Sequence, residues 1–303
     1  MAAIMRGLKK NAAAIRLRSR AGLKRTTAFD KVLYVFLTLF ALFMLLPIVY
    51  IFNHALKPYS ELFVYPPNIF ARNPTFQSFI ELFVVTSSSV VPVTRYLFNS
   101  VVVAVLVVTA TIVVSTLCAY PISKHKFPGH RAMFAVILLS LMFASETVQI
   151  PTYLVVVNLH LVDTYWGHIL PHLAAPVSVF LMKQFIDQVP NELLEAAKVD
   201  GAREIRIFLQ IVIPICMPAV ATIAILSFQG TWNNITTSSL YMQDEAMKTF
   251  PFFLSTLTTG LVNTVARQGA AAAAALILFI PNFVIFLMFQ RKVIATMAHS
   301  GIK

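Results

Sequence analysis

Long stretches of this chain are apolar with almost no interruption, and its polar positions collect between them. Six stretches, near 32–52, 97–120, 133–156, 166–185, within 211–240, and 269–289, could each cross a bilayer, which takes about 20 mostly apolar residues. Backbone groups in lipid must be satisfied within their own segment, so helix is the expected state. The fold class this pattern predicts is all-α, a polytopic membrane protein with six transmembrane helices. The third and fourth stretches are the least regular. Both carry polar residues and prolines, and the gap between them is short.

One polar interruption has a pattern of its own. Between Pro190 and Pro218 the chain carries the acids Glu192, Glu195, Asp200 and Glu204, with Asp187 just upstream, and the bases Lys198, Arg203 and Arg206. Connections without a task are usually short. Pro190 suits a helix start, and Glu192 in the first turn suits the positive end of the helix dipole. Gly201 suits a helix end. After it, Ile205, Phe208, Leu209 and Val212 fall at i, i+3, i+4, i+7, which predicts a second helix with one apolar face. Two short helices at an angle read as a docking element.

The spacing Glu195-Ala196-Ala197-x-x-Asp200-Gly201-Ala202, followed by Phe208, Pro214 and Pro218, resembles the EAA loop of permease subunits of ABC importers. Asn99-Ser100, Ala119-Tyr120-Pro121, Phe127-Pro128-Gly129, Trp232-Asn233 and the terminal Gly301-Ile302-Lys303 resemble the carbohydrate branch, as in maltose importers. The resemblance runs from about Leu33 to Lys303 and leaves the basic N-terminus outside. It implies a type I importer fold with a cytoplasmic coupling helix. It also implies a second related permease, a cytoplasmic ATPase dimer and an extracellular or periplasmic solute-binding protein as partners. Glu195, Ala196, Ala197, Asp200, Gly201, Ala202, Phe208 and Pro214 become the candidate ATPase-coupling residues. The function implied is ATP-driven import of a carbohydrate, an oligosaccharide above all, by alternating access. The charged loop also occurs in permeases for other solutes, and an ion-coupled secondary transporter is the rival outside the family.

Composition and charge agree with a membrane protein. Of 303 residues 58% are hydrophobic and 12% charged, against about 25% charged in soluble domains. The net charge of +12 raises the question of nucleic acid, but its distribution argues for lipid. Nine of the 24 basic residues precede the first span, and only Lys57, Arg72, Arg95, Lys248 and Arg267 fall on the far side if both termini are cytoplasmic. That is the positive-inside pattern, with the basic tail setting orientation and meeting anionic headgroups. The organisation expected is a basic segment at 1–31, a six-helix domain at 32–292 with its coupling loop at 186–212, and a cytoplasmic tail at 293–303. The apolar run from Val32 is longer than a signal-peptide core and reads as a retained span. Cys118 and Cys216 read as neutral thiols in or beside spans.

No glycine is followed by lysine, so a Walker-type phosphate loop is missing, and neither a His-Glu-x-x-His nor a Gly-x-Ser-x-Gly pattern occurs. The chain is not expected to be an enzyme. ATP hydrolysis belongs to a partner subunit, and no cofactor or metal is implied. His168 and His172 share i, i+4 spacing but lack a third ligand beside Pro171, so packing or hydrogen bonding is their expected role. The candidate substrate pathway is Glu146 and Gln149 in the third stretch, with Thr152 and Tyr153 a turn on, and Gln229, Trp232, Asn233 and Asn234 in the fifth. Polar groups cost free energy in lipid and turn toward protein or water. Glu146 is a satisfied inter-helix group, a group nearer the outer interface, or a cavity group, and cavity lining is the reading weighed for Asn233 and Asn234. The stretch 243–268 is either a plain connector or the surface that approaches the binding protein.

Overall fold

The computed structural model describes residues 28–62, 68, 70–87, 91–259 and 267–300. The basic residues up to Arg25, residues 63–67, residues 260–266 and the Gly301-Ile302-Lys303 end lie outside them. In chain order the helices are α1 (Ala28–Leu56), α2 (Tyr59–Leu62), α3 (Gln77–Ser87), α4 (Val93–Lys124), α5 (His130–Ser140), α6 (Ser145–Asn158), α7 (Tyr165–Leu173) and α8 (Pro176–Asp187). They continue with α9 (Asn191–Val199), α10 (Glu204–Ile207), a π turn (Phe208–Val212), α11 (Ile213–Ile215), α12 (Met217–Trp232), α13 (Thr236–Tyr241), α14 (Phe250–Thr258) and α15 (Gln268–Ser300). No strand occurs among the described residues.

The chain divides into two compact units, residues 1–50 and 51–303. The described part of the first is the bulk of α1, whose apolar side chains from Phe29 to Leu46 are exposed. In the second unit α4 packs against α8 and α12, and α12 packs against α15. The alanine run at 269–275 brings α15 close to its neighbours. Ala270, Ala273 and Ala274 are buried in one core with Leu82, Val93 and Phe250. A Cβ on Gly269 would come within 2.8 Å of the Ser78 hydroxyl, so only glycine lets α3 approach there.

Helices α1, α4 and α15 are each long and apolar enough to cross a membrane, and counting each of three bent pairs as one span gives up to six among the described residues. Those pairs are where the structure departs from the expected continuous helices. The third stretch is α5 and α6 meeting at 110°, the fourth is α7 and α8 at 46°, and the fifth is α10–α11 and α12 at 77°. The causes differ. Pro176 and the pair Pro214 and Pro218 break the ladder in the last two. In the third, the Ser140 hydroxyl bonds back to the Ile137 carbonyl at 2.6 Å, and Leu141 and Met142 close tight bonds to Leu138 and Leu139. Ser145 and Glu146 then open a new helix.

Candidate functional site

The insert after Pro190 folds as a braced knob. Pro190 has extended backbone and caps α9, and Asp200 ends it. Gly201 follows with φ +78°. Its amide bonds to the Lys198 carbonyl at 3.0 Å, and the Ala202 amide bonds to Ala197 at 2.9 Å. This is a Schellman end, in which a left-handed residue lets two amides fold back on the last turn. Its usual apolar contact is made by Ala197 and Ala202, both packed on the core beneath. The alanines of the Glu-Ala-Ala spacing therefore differ in role, since Ala196 is exposed and Ala197 points inward. Glu195, Asp200 and Pro214 are exposed as well.

The second helix buries another face than the sequence pattern predicts. Ile207, Phe208 and Val212 are buried, whereas Ile205 and Leu209 are exposed. The cause is the π turn at Phe208–Val212, whose i→i+5 geometry sets Val212 under Ile207. Phe208 is thus a brace and not a free surface residue. It packs on Tyr120 at 5.0 Å between ring centres, at the end of α4.

Glu204 fastens the knob. Its carboxylate accepts the Tyr120 hydroxyl at 2.5 Å and lies 3.2 Å from His125 Nε2 and 3.1 Å from Lys198 Nζ. The Tyr120 hydroxyl first, then Lys198 and His125, hold this carboxyl below the usual glutamate range. Lys124 grips the other end, donating to the Val189 carbonyl at 2.6 Å and to Asn191 Oδ1 at 3.0 Å, while Ser123 donates to Asp187 at 2.5 Å. Sequence reasoning missed Glu204 and Lys124 as anchors. The only signal was the pairing of an Ala-Tyr-Pro helix end with an acid 84 residues later.

The candidate pathway residues divide between two cavities. Glu146, Gln149, Thr152, His172, Asn234 and Thr237 line a polar cleft of about 370 Å³, with Tyr241 at its wall. Tyr153 stacks on Tyr241 at 6.3 Å and lines a second cleft, of about 390 Å³. Trp232 lines a different, apolar cavity of about 470 Å³ with Phe228 and Pro281. Its indole N–H donates to the Leu278 carbonyl at 3.0 Å and its ring stacks on Phe228 at 5.3 Å. Gln229 and Asn233 line neither. The expected cluster of four is not one surface, because α12 stops at Trp232 and Asn233 is its cap. Asn234 lies beyond the helix, and its Oδ1 accepts the Thr237 amide at 2.9 Å.

A model of the family described as binding-protein-dependent transport system inner membrane component matches residues 12–292. The chain belongs to that family. The match begins earlier than the motif-bearing region and takes in part of the basic N-terminus. Among the relatives, a permease of an arabinooligosaccharides transport system, AraQ of Bacillus subtilis (strain 168), is 30% identical over 272 residues. That match covers 89% of this chain and 95% of the relative. A permease of a trehalose transport system, SugB of Mycobacterium tuberculosis (strain CDC 1551 / Oshkosh), is 29% identical and covers 88% and 95%. Among solved structures, a bacterial ABC transporter involved in import of the acidic polysaccharide alginate matches with a TM-score of 0.74 at 22% identity, over 87% of this chain and 95% of that one. That likeness establishes the fold, an ABC importer permease.

The permease holds one further region firmly, the start of the stretch 243–268. Asn99 Nδ2 donates to the Ala246 and Lys248 carbonyls at 2.8 and 2.9 Å, and Tyr165 donates to Asn99 Oδ1 at 2.8 Å. Arg95 Nε reaches the Ala246 carbonyl and Tyr96 the Glu245 carboxylate, each at 3.1 Å. His168 is fully buried. A carbonyl can only accept, so the ring carries its proton on Nε2 toward Met247 at 3.0 Å, and Nδ1 takes the Thr237 hydroxyl hydrogen at 2.8 Å. Asn234 then keeps only the Thr237 amide on its oxygen, which leaves its amide nitrogen to the cleft. His168 and His172 are hydrogen-bonding residues, and no metal cluster occurs among the described residues. Residues 250–258 form α14, with Phe250, Phe253 and Leu257 buried, so this part is a packed helix and not a plain connector.

Proposed function

We propose that this permease carries oligosaccharides inward as half of a two-permease pore, driven by a cytoplasmic ATPase dimer and loaded by a solute-binding protein. The observation that carries the reading is the braced knob at 186–212. Its Glu195, Ala196, Asp200 and Gly201 face solvent, while Val199 and Ile205 are 87% and 73% exposed. Apolar side chains so exposed beside acids suit a protein partner. The names of the relatives, which transport arabino-oligosaccharides and trehalose, support carbohydrate as the cargo.

The polar cleft supports the pathway. Hydroxyls and amides at Gln149, Thr152, Asn234 and Thr237 offer donors and acceptors, and Tyr241 adds an aromatic wall. That is the mixture a sugar needs, with polar edges and an apolar ring face. The charge bias puts both termini and the knob in the cytoplasm. ATPase closure would pull on the knob, and the permease pair would alternate between inward- and outward-facing states.

The test is uptake by proteoliposomes that hold the permease with its partner permease, ATPase and binding protein, fed a panel of labelled oligosaccharides. ATP-dependent uptake of one or more is expected. Glu195→Ala should insert normally and abolish uptake. Uptake driven by an ion gradient without ATP, or normal uptake by E195A, overturns the reading.

A further inference from the structure

The polar cleft carries one formal charge. Glu146 opens α6, accepts the Ser145 hydroxyl at 3.0 Å, and has no basic side chain within ion-pair distance among the described residues. None of the residues lining this cleft or the one that Tyr153 lines is lysine or arginine. The start of a helix is electropositive and would by itself attract an anion. The carboxylate sits in that first turn and cancels it. What remains toward the cargo is neutral amides, hydroxyls, the His172 imidazole, whose Nδ1 is engaged by the His168 carbonyl, and an acid. A glycan hydroxyl finds partners on such a wall. A uronate carboxylate finds repulsion and no counter-ion.

We propose that Glu146 makes the cleft a charge filter, so that the pathway takes uncharged oligosaccharides and disfavours carboxylated ones. The inference rests on the pathway reading above and adds the charge class of the cargo. Its sign comes from this chain alone, so a measurement that removes only Glu146 isolates it from whatever the partner permease contributes.

The experiment places a reporter thiol in the cleft of the assembled importer. Gln149→Cys lies one helical turn from Glu146. It is labelled at low salt with methanethiosulfonate reagents bearing either a trimethylammonium or a sulfonate group. The modified peptide is quantified by mass spectrometry, and each rate is divided by that for a small free thiol. The helix start offsets about half of the carboxylate's charge, so about 6 Å away in water-like surroundings the preference for the cation over the anion is about threefold. Glu146→Gln should bring the ratio to one or below, because the helix start is then uncompensated, and Glu146→Asp should keep the preference. In parallel, E146Q should raise the inhibition of neutral-oligosaccharide uptake by oligogalacturonate.

Each result decides something. Labelling without preference, or a preference unchanged in E146Q, overturns the filter and leaves the pathway standing. No labelling by either reagent overturns the pathway itself. Unchanged oligogalacturonate inhibition in a variant that has lost the preference shows that the cargo does not feel this charge, and also overturns the filter.

Discussion

Replacing Gly201 by alanine isolates the backbone geometry of the knob after Pro190. Gly201 has φ +78°, and no atom lies within 4 Å of where a Cβ would stand. A substitution therefore costs conformation and not collision. A left-handed backbone costs an ordinary L residue roughly 1–2 kcal/mol, whereas asparagine tolerates that region better. At about 1.4 kcal/mol per tenfold, Gly201→Ala should lower the population of the closed Schellman end by roughly five- to thirtyfold, and Gly201→Asn by less. The assay is amide hydrogen exchange on peptides covering 191–207 in the assembled importer, read beside ATP-driven uptake. The amides of Gly201 and Ala202, which close the end on Lys198 and Ala197, should lose protection most. Exchange in G201A equal to wild type would refute the argument, and so would G201N loosening the loop as much as G201A. The second outcome would mean that size, and not φ, decides.

Substitutions at Glu204 and Trp232 test two further sets of contacts. Glu204→Gln removes the charge shared by Tyr120, His125 and Lys198. Exposed ion pairs contribute about 0–1 kcal/mol, so exchange across 191–207 should rise only a few-fold; no rise would show that the brace is idle. Glu204 titrates below the ordinary glutamate value of about 4.3. Its contribution is therefore complete above that value and is lost as acid carries the carboxyl through its lowered folded value. Acid loosening in wild type that persists unchanged in E204Q would refute the assignment. Trp232→Phe keeps the ring against Phe228 but removes the indole donor to the Leu278 carbonyl, which still accepts from Asn282 Nδ2 at 3.4 Å, at a cost of about 1 kcal/mol or less. Trp232→Ala should cost about 3–5 kcal/mol in thermal stability of the purified complex. A W232A complex that melts like wild type would mean that this indole is not a packing residue.

Much of the fold was legible where one residue type settles a local choice. Pro190 and Gly201 mark the two ends of α9, and the long apolar runs mark α1, α4 and α15. The break between α5 and α6 was not legible. Leu141 to Ala144 contain neither proline nor glycine, so the apolar pattern runs on while the backbone turns. The π turn was hidden for a similar reason. Its residues fit an ordinary helical period, and only their common burial in one core shows that Ile207 and Val212 share a face. In the cleft, Glu146 and Gln149 were legible as neighbours on one helix. Their meeting with Asn234 and Tyr241 depends on how α13 folds back, which no local pattern encodes. Trp232 was misplaced because the helix end at Asn233 separates it from Asn234.

Both anchored regions hang from the same helix. Near its start, Arg95, Tyr96 and Asn99 of α4 hold residues 245–248. At its finish Tyr120, Ser123 and Lys124 hold 187–204. A helix of 32 residues is about 48 Å long at 1.5 Å per residue. A rod of that length is a lever. Tilting it about one end by roughly 10° swings the other through about 8 Å, on the scale of one helix diameter. Seating a partner on one of its loops and displacing the other are then a single rigid movement, with no need for a signal to pass from side chain to side chain.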